Sequence, residues 1–150
     1  GNGIRQLIRH PEELAKLRAN PELIGPAVEE CLRFDGPISM TLRVLHEDAR
    51  IGDYVLPRDA EVWLLLAAAN RDPRRFEDPG RFWIERPDNA HLSFGGGAHL
   101  CLGHHLARME AQEAIGGLVR RFEKLELESD TVEWGRSLFR VPGRLPIRVG

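Results

Sequence analysis

Ten residues, Phe94 to Gly103, constrain this chain more than any other stretch. They read FGGGAHLCLG: three consecutive glycines, one histidine, one cysteine and a fourth glycine. Gly95, Gly96 and Gly97 carry no Cβ, so their backbone can take positive φ and lie close against a flat ligand. From His104 the pattern turns helical, which sets Cys101 just before a helix start. There the free backbone N–H groups and the positive end of the helix dipole favour thiolate over thiol, and the thiolate is the form that binds metal. Gly103 leaves room where a side chain would intrude on a ligand. Three readings stay open from these residues alone. Cys101 is an inert buried thiol, as most free cysteines are. Or His99, Cys101, His104 and His105 form a small zinc site, against which stands the difficulty of aiming two adjacent imidazoles at one metal. Or Cys101 is a thiolate held under a planar ligand.

The stretch resembles the cysteine loop of the cytochrome P450 haem-thiolate monooxygenases, whose pattern is Phe-Gly-x-Gly-x-(His or Arg)-x-Cys-x-Gly. Phe94, Gly95, Gly97, His99, Cys101 and Gly103 fill every specified position. The resemblance, which is to the soluble bacterial type, implies a mainly α-helical fold with small β-sheets (α+β). It implies haem b as cofactor, Cys101 as its axial ligand and catalytic thiolate, and Phe94, Gly95, Gly97 and Gly103 as residues that bind the macrocycle. A second motif lies upstream. Glu30 and Arg33 are three apart and share a helix face, which by itself reads as a surface ion pair worth well under about 1 kcal/mol. The resemblance makes Glu30-Cys31-Leu32-Arg33 the family's Glu-x-x-Arg motif, joined in a buried charge network by a further arginine, Arg86. It also places Arg43 and His99 on the haem propionates, where their donors suit a carboxylate; taken alone, Arg43 reads as a solvated strand arginine. Ile38, Ser39 and Met40, with Leu138 and Phe139, fall where the family lines its substrate pocket.

The rest of the chain is consistent with one soluble globular domain. Hydrophobic residues make up 42% and charged residues 29%, ordinary for such a chain. A net charge of -2 speaks against a nucleic-acid partner. The longest apolar run, Val62 to Ala69, is too short to cross a bilayer. Two distant cysteines make no disulfide framework, and a working thiolate suits a reducing, cytoplasmic setting. Apolar spacing predicts the end of a helix over Gly3–Arg9, a helix over Pro11–Ala19, and a third from Pro21 to about Phe34 with Asn20 as its N-cap. Short strands are expected at Thr41–Leu45, Arg50–Leu56 (turned at Gly52-Asp53) and Glu61–Leu64. Proline and charge make Asn70 to Phe82 a coil. A long helix follows from His104 to about Lys124, with Leu106, Met109, Leu118, Val119 and Phe122 at helical spacing. Arg108, Arg120 and Arg121 lie on its polar side, as a solvated face or as a docking patch for an acidic electron donor. His91 reads as structural or exposed.

By the resemblance, the family's oxygen-activating acid and threonine belong on a long helix before the cysteine loop. This chain has only Thr41 and Thr131, neither in that place. The expectation is therefore a single C-terminal haem-binding portion over residues 1–150, with the oxygen-activating helix absent and the isolated chain inactive. Three functions compete: part of a monooxygenase hydroxylating a small organic substrate with O2 and electrons from a ferredoxin-type donor; a haem-binding module without that activity; and a structural remnant that folds without cofactor. The partners implied are the substrate, the electron donor, and either a separate N-terminal half or a second copy of the chain.

Overall fold

The computed structural model describes residues 1–135 and 137–150. Prolines and glycines divide the chain into α1 (Asn2–Arg9), α2 (Pro11–Ala19), a 3-10 turn (Pro21–Leu23), α3 (Ile24–Asp35), α4 (Leu66–Ala69), a second 3-10 turn (Gly97–His99) and α5 (His104–Arg121). Pro11 opens α2 at its first position, where its missing N–H would have had no partner. Leu7, Leu14, Leu17, Ala27, Val28, Ile115 and Val119 meet Phe82 and Ile84 in one core. α1, α2 and α3 bury apolar faces at the predicted spacing, whereas on α5 only Val119 of the expected face is buried, with Leu118 and Phe122 half-buried against the core.

Asn20 does not cap α3. Its side chain turns back and donates to the carbonyl of Lys16 at 3.3 Å, so it closes the end of α2, and Pro21 starts a 3-10 turn rather than the α-helix. α5 ends at Arg121, because Phe122 is already extended at φ -121 and ψ 121. Leu106 and Met109 share the helical spacing of the core residues but are exposed.

Among the described residues, six strands form three antiparallel pairs. β1 (Thr41–Val44) lies against β4 (Glu61–Leu64), with Thr41 opposite Leu64. β2 (Ala49–Ile51) and β3 (Tyr54–Leu56) form the hairpin around Gly52-Asp53. β5 (Leu125–Leu127) pairs with β6 (Ile147–Val149). α4 follows β4 directly and is held by the Ala67 N–H donating to the Ser39 carbonyl at 2.9 Å. No described helix is long and apolar enough to cross a membrane.

Between α4 and the cysteine loop the chain has no regular ladder, and two buried guanidinium groups replace one. Arg33 donates to the carbonyls of Asn70 (2.8 Å), Pro79 (3.1 Å) and Arg81 (3.1 Å). Arg86 donates to those of Glu77, Asp78 and Arg81. Both arginines meet the carboxylate of Glu30: Arg33 through Nε (2.7 Å) and Nη2 (2.8 Å), Arg86 through Nε (3.2 Å). Glu30 is 0% and Arg33 1% exposed, so this is a desolvated network, not a surface pair. Removing one partner strands the others. Glu30→Gln is expected to lower unfolding free energy by about 3–5 kcal/mol. Loss of the exposed pair Arg74–Asp72, by Arg74→Ala, is expected to leave the denaturation midpoint unchanged. Urea titration of the two variants checks both.

Candidate functional site

The cysteine loop is a closed piece of backbone. The Cys101 N–H donates to the Phe94 carbonyl at 2.9 Å, Gly95 N–H to Leu92 at 2.8 Å, and His104 N–H to Cys101 at 3.2 Å as α5 begins. Gly95 and Gly97 have φ of +72° and +59°, the region that side chains rarely enter. Gly96, at φ -170°, is extended and could be any residue, so two of the three glycines are required by conformation. A Cβ on Gly97 or Gly103 would meet no atom within 4 Å: the loop presents an open side. Leu100 and Leu102, on either side of Cys101 in the sequence, are 48% and 99% exposed.

Cys101 is exposed and Cys31 is buried. The inert thiol is thus Cys31; burial, then the neighbouring Glu30 carboxylate, pushes its thiol up to about 12. Among the described residues no three His, Cys, Asp or Glu side chains are grouped so as to hold a metal ion, so the zinc reading finds no ligand set there.

Arg43 and His99, far apart in sequence, line one opening of about 820 Å³ together with the turn after β1. Arg43 also donates to Thr41 Oγ1 at 3.1 Å and to the Leu42 carbonyl at 2.8 Å. The two segments expected to line a substrate pocket lie side by side. Ile38 and Phe139 form an antiparallel bridge, and Arg140 N–H donates to the Pro37 carbonyl at 2.7 Å. Ile38, Met40, Leu138 and Phe139 are all exposed apolar side chains, and Ser39 spends its carbonyl on α4.

Sequence reasoning missed a second charge network beside this loop. Glu29 on α3 accepts from Arg108 Nε at 2.7 Å and Arg108 Nη2 at 2.9 Å, and His91 Nε2 lies 3.2 Å from the same carboxylate. Burial opposes the charge on Glu29, but hydrogen bonds from His91 and Arg108 outweigh it and hold its carboxyl down at about 2. Arg108 is thereby withdrawn from the basic patch expected on α5; Arg120 and Arg121 remain exposed there. Arg108 Nη1 also lies 2.7 Å from His104 Nδ1. Partial desolvation, with His105 and Arg108 nearby, lowers the pKa of His104, which fits a neutral ring accepting from that guanidinium. The legible signal was the Glu29-Glu30 doublet, which puts two acids on two adjoining faces of one helix.

The family model described as Cytochrome P450 matches residues 4–136. The biotin biosynthesis cytochrome P450 of Bacillus subtilis (strain 168) is 52% identical over 133 residues, 89% of this chain and 33% of that protein. The 6-deoxyerythronolide B hydroxylase of Saccharopolyspora erythraea is 41% identical over 152 residues, 99% of this chain and 38% of its own length. The crystal structure of P450BioI, in complex with an acyl carrier protein ligated with hexadec-9Z-enoic acid, superposes with a TM-score of 0.95 at 48% identity; the match covers 99% of this chain and 39% of that one. The chain thus spans between a third and two fifths of the length of these relatives, and over that span the fold is the same mainly α fold with small sheets.

Two measurements check the site. Ellman's reagent on the native, cofactor-free chain is expected to titrate Cys101 alone, and Cys31 as well only after denaturation. The folded-state carboxyl of Glu29 lies below its ordinary 4.5, so the stability it contributes is present above that pH and is lost as pH falls towards about 2. The gap in thermal midpoint between wild type and Glu29→Gln is expected to shrink steadily over that range; a gap independent of pH would contradict it.

Proposed function

This chain belongs to the cytochrome P450 family, and from that premise we propose that residues 1–150 form a single haem-binding portion of a haem-thiolate monooxygenase, with Cys101 as axial ligand. Members of the family bind haem b through a cysteine thiolate. One observation carries the assignment: of the two cysteines, the exposed one sits at the end of a closed glycine loop whose other side is open.

The residues present fit the group. A planar, largely apolar ligand with carboxylates at its edge needs an apolar bed, a soft donor and cationic or N–H donors at the rim. Leu100 and Leu102, on either side of Cys101 in the sequence, are exposed apolar side chains, Gly97 and Gly103 keep the open side clear, Cys101 offers the sulfur, and Arg43 and His99 face one opening with donors for carboxylates. Thiolate-ligated haem, when bound, supplies the activation of dioxygen for insertion of one oxygen atom into an organic substrate. The protein's part is to hold the sulfur in place, to bind the carboxylates, and to wall the substrate with Ile38, Ser39, Met40, Leu138 and Phe139.

The substrate is a small organic molecule and the electrons come from a ferredoxin-type donor; Arg120 and Arg121 stand at the opposite end of α5 from Cys101, so that pair reads as a solvated face. One relative is named for hydroxylating 6-deoxyerythronolide B and another holds an acyl carrier protein carrying a hexadecenoic acid.

With haem supplied, the dithionite-reduced chain under carbon monoxide is expected to show a Soret band shifted far to the red, and Cys101→Ala to lose it. No haem uptake, or the same band in the variant, would overturn the assignment. The two threonines of the chain lie in β1 and in the exposed segment after β5, neither on a helix. Substrate-dependent turnover by the pure 150-residue chain is accordingly expected to be absent; measured turnover with a ferredoxin-type donor would refute that.

A further inference from the structure

α3 carries two consecutive carboxylates with different duties. Glu30 faces the coil and is wholly enclosed by Arg33, Arg86, Asn89 and the Trp83 N–H. Glu29 faces the cysteine loop, and it ties both ends of that loop to one helix. His91, three residues before Phe94, reaches it from one side; Arg108, seven residues after Cys101, grips it with two parallel bonds from the other. Such a two-pronged contact fixes orientation as well as distance.

The same guanidinium then touches the loop itself. Its central carbon lies 4.6 Å from the centroid of the Phe94 ring, within cation–π range. Phe94 is the residue whose carbonyl receives the Cys101 N–H. Its ring also lies 6.1 Å from both His91 and His104, and His104 is the ring that Arg108 Nη1 approaches. Glu29, Arg108, His91, His104 and Phe94 therefore form one cluster, and its last link is the backbone bond that fixes the cysteine.

We propose that Glu29 is a positioning residue for Cys101: by holding Arg108 and His91 it fixes the Phe94 ring, and through the Phe94 carbonyl it fixes where the sulfur stands. The inference deepens the assignment of Cys101 as axial ligand and rests on it. Glu29 touches neither the sulfur nor the cofactor face, so its effect is on placement and not on chemistry.

The test compares Glu29→Gln and Arg108→Lys with wild type, and with Glu113→Gln, an exposed change elsewhere on α5, as control. Amide exchange by NMR on the cofactor-free chain reads the loop directly. The Cys101 and Leu100 amides are expected to exchange about tenfold faster in both variants, while the amides of α2 and the control keep their wild-type rates. Arg108→Lys retains the charge but not the two-pronged contact, so it is expected to follow Glu29→Gln. Unchanged loop exchange, or a loss of protection spread evenly over α2 and the loop, would overturn the proposal in favour of a merely stabilising pair. In the haem-loaded protein, the reduced carbon monoxide band is expected to lose intensity at its far-red position and gain it at the position of non-thiolate haem in both variants. An identical, stable far-red band in Glu29→Gln would also overturn it. If the wild-type chain takes up no haem, the axial-ligand assignment fails by itself, and the exchange comparison still decides whether Glu29 places the loop.

Discussion

The carboxylate of Glu30 is the point on which the irregular half of this protein hangs. It is wholly buried and accepts from Arg33, Arg86, Asn89 and the backbone of Trp83. A buried ion pair is by itself weak evidence of stability, because desolvation offsets much of the Coulombic gain. What decides here is the backbone. A coil without a ladder must still satisfy its buried carbonyls, and the donors left over on Arg33 and Arg86 do so for residues 70, 77, 78, 79 and 81. Glu30 orients both guanidinium groups, so one negative charge organises a segment that has no secondary structure of its own.

That segment ends by delivering the cysteine loop. Asn70 accepts the Leu92 N–H at 2.7 Å and donates to Ser93 Oγ at 2.9 Å, and Ser93 Oγ donates to the Leu32 carbonyl at 2.7 Å. The loop is thus laid against the C-terminal half of α3 before Phe94 is reached. From there Glu29 and Arg108 continue the same work on the far side of the loop. The path from core to site is a chain of hydrogen bonds to one helix, and α3 serves as the bench on which coil, loop and α5 are all fixed.

How far this could be read from the sequence follows from how local each signal is. The cysteine loop was legible because its glycines, cysteine and helix start lie within ten residues, and Glu30-Arg33 because helical spacing puts them together. Arg86 needed the family resemblance, since nothing in its own surroundings says that it is buried. Asn20 misled because an Asn-Pro pair reads as a cap wherever it stands, yet the side chain found a nearer acceptor behind it, on Lys16. Leu106 and Met109 show that helical period identifies an apolar face without saying what covers it. α4, four residues long, is shorter than any periodic window. The Glu29–Arg108 contact joins residues seventy-nine positions apart, and no local pattern encodes that; the doublet at 29–30 was its only trace.

Two adjacent acids with separate duties make α3 an indexed part. Successive helical residues are turned by about 100° and advanced by about 1.5 Å. Sliding the chain by one position would present Glu30 to the cysteine loop and an apolar cysteine to the arginines of the coil. Neither network can slip without the other, so the helix has a single admissible reading frame, and the two clusters check each other's alignment. A residue inserted at the Gly52-Asp53 turn would merely lengthen an exposed hairpin; one inserted between Gly25 and Glu29 would put both carboxylates out of step at once.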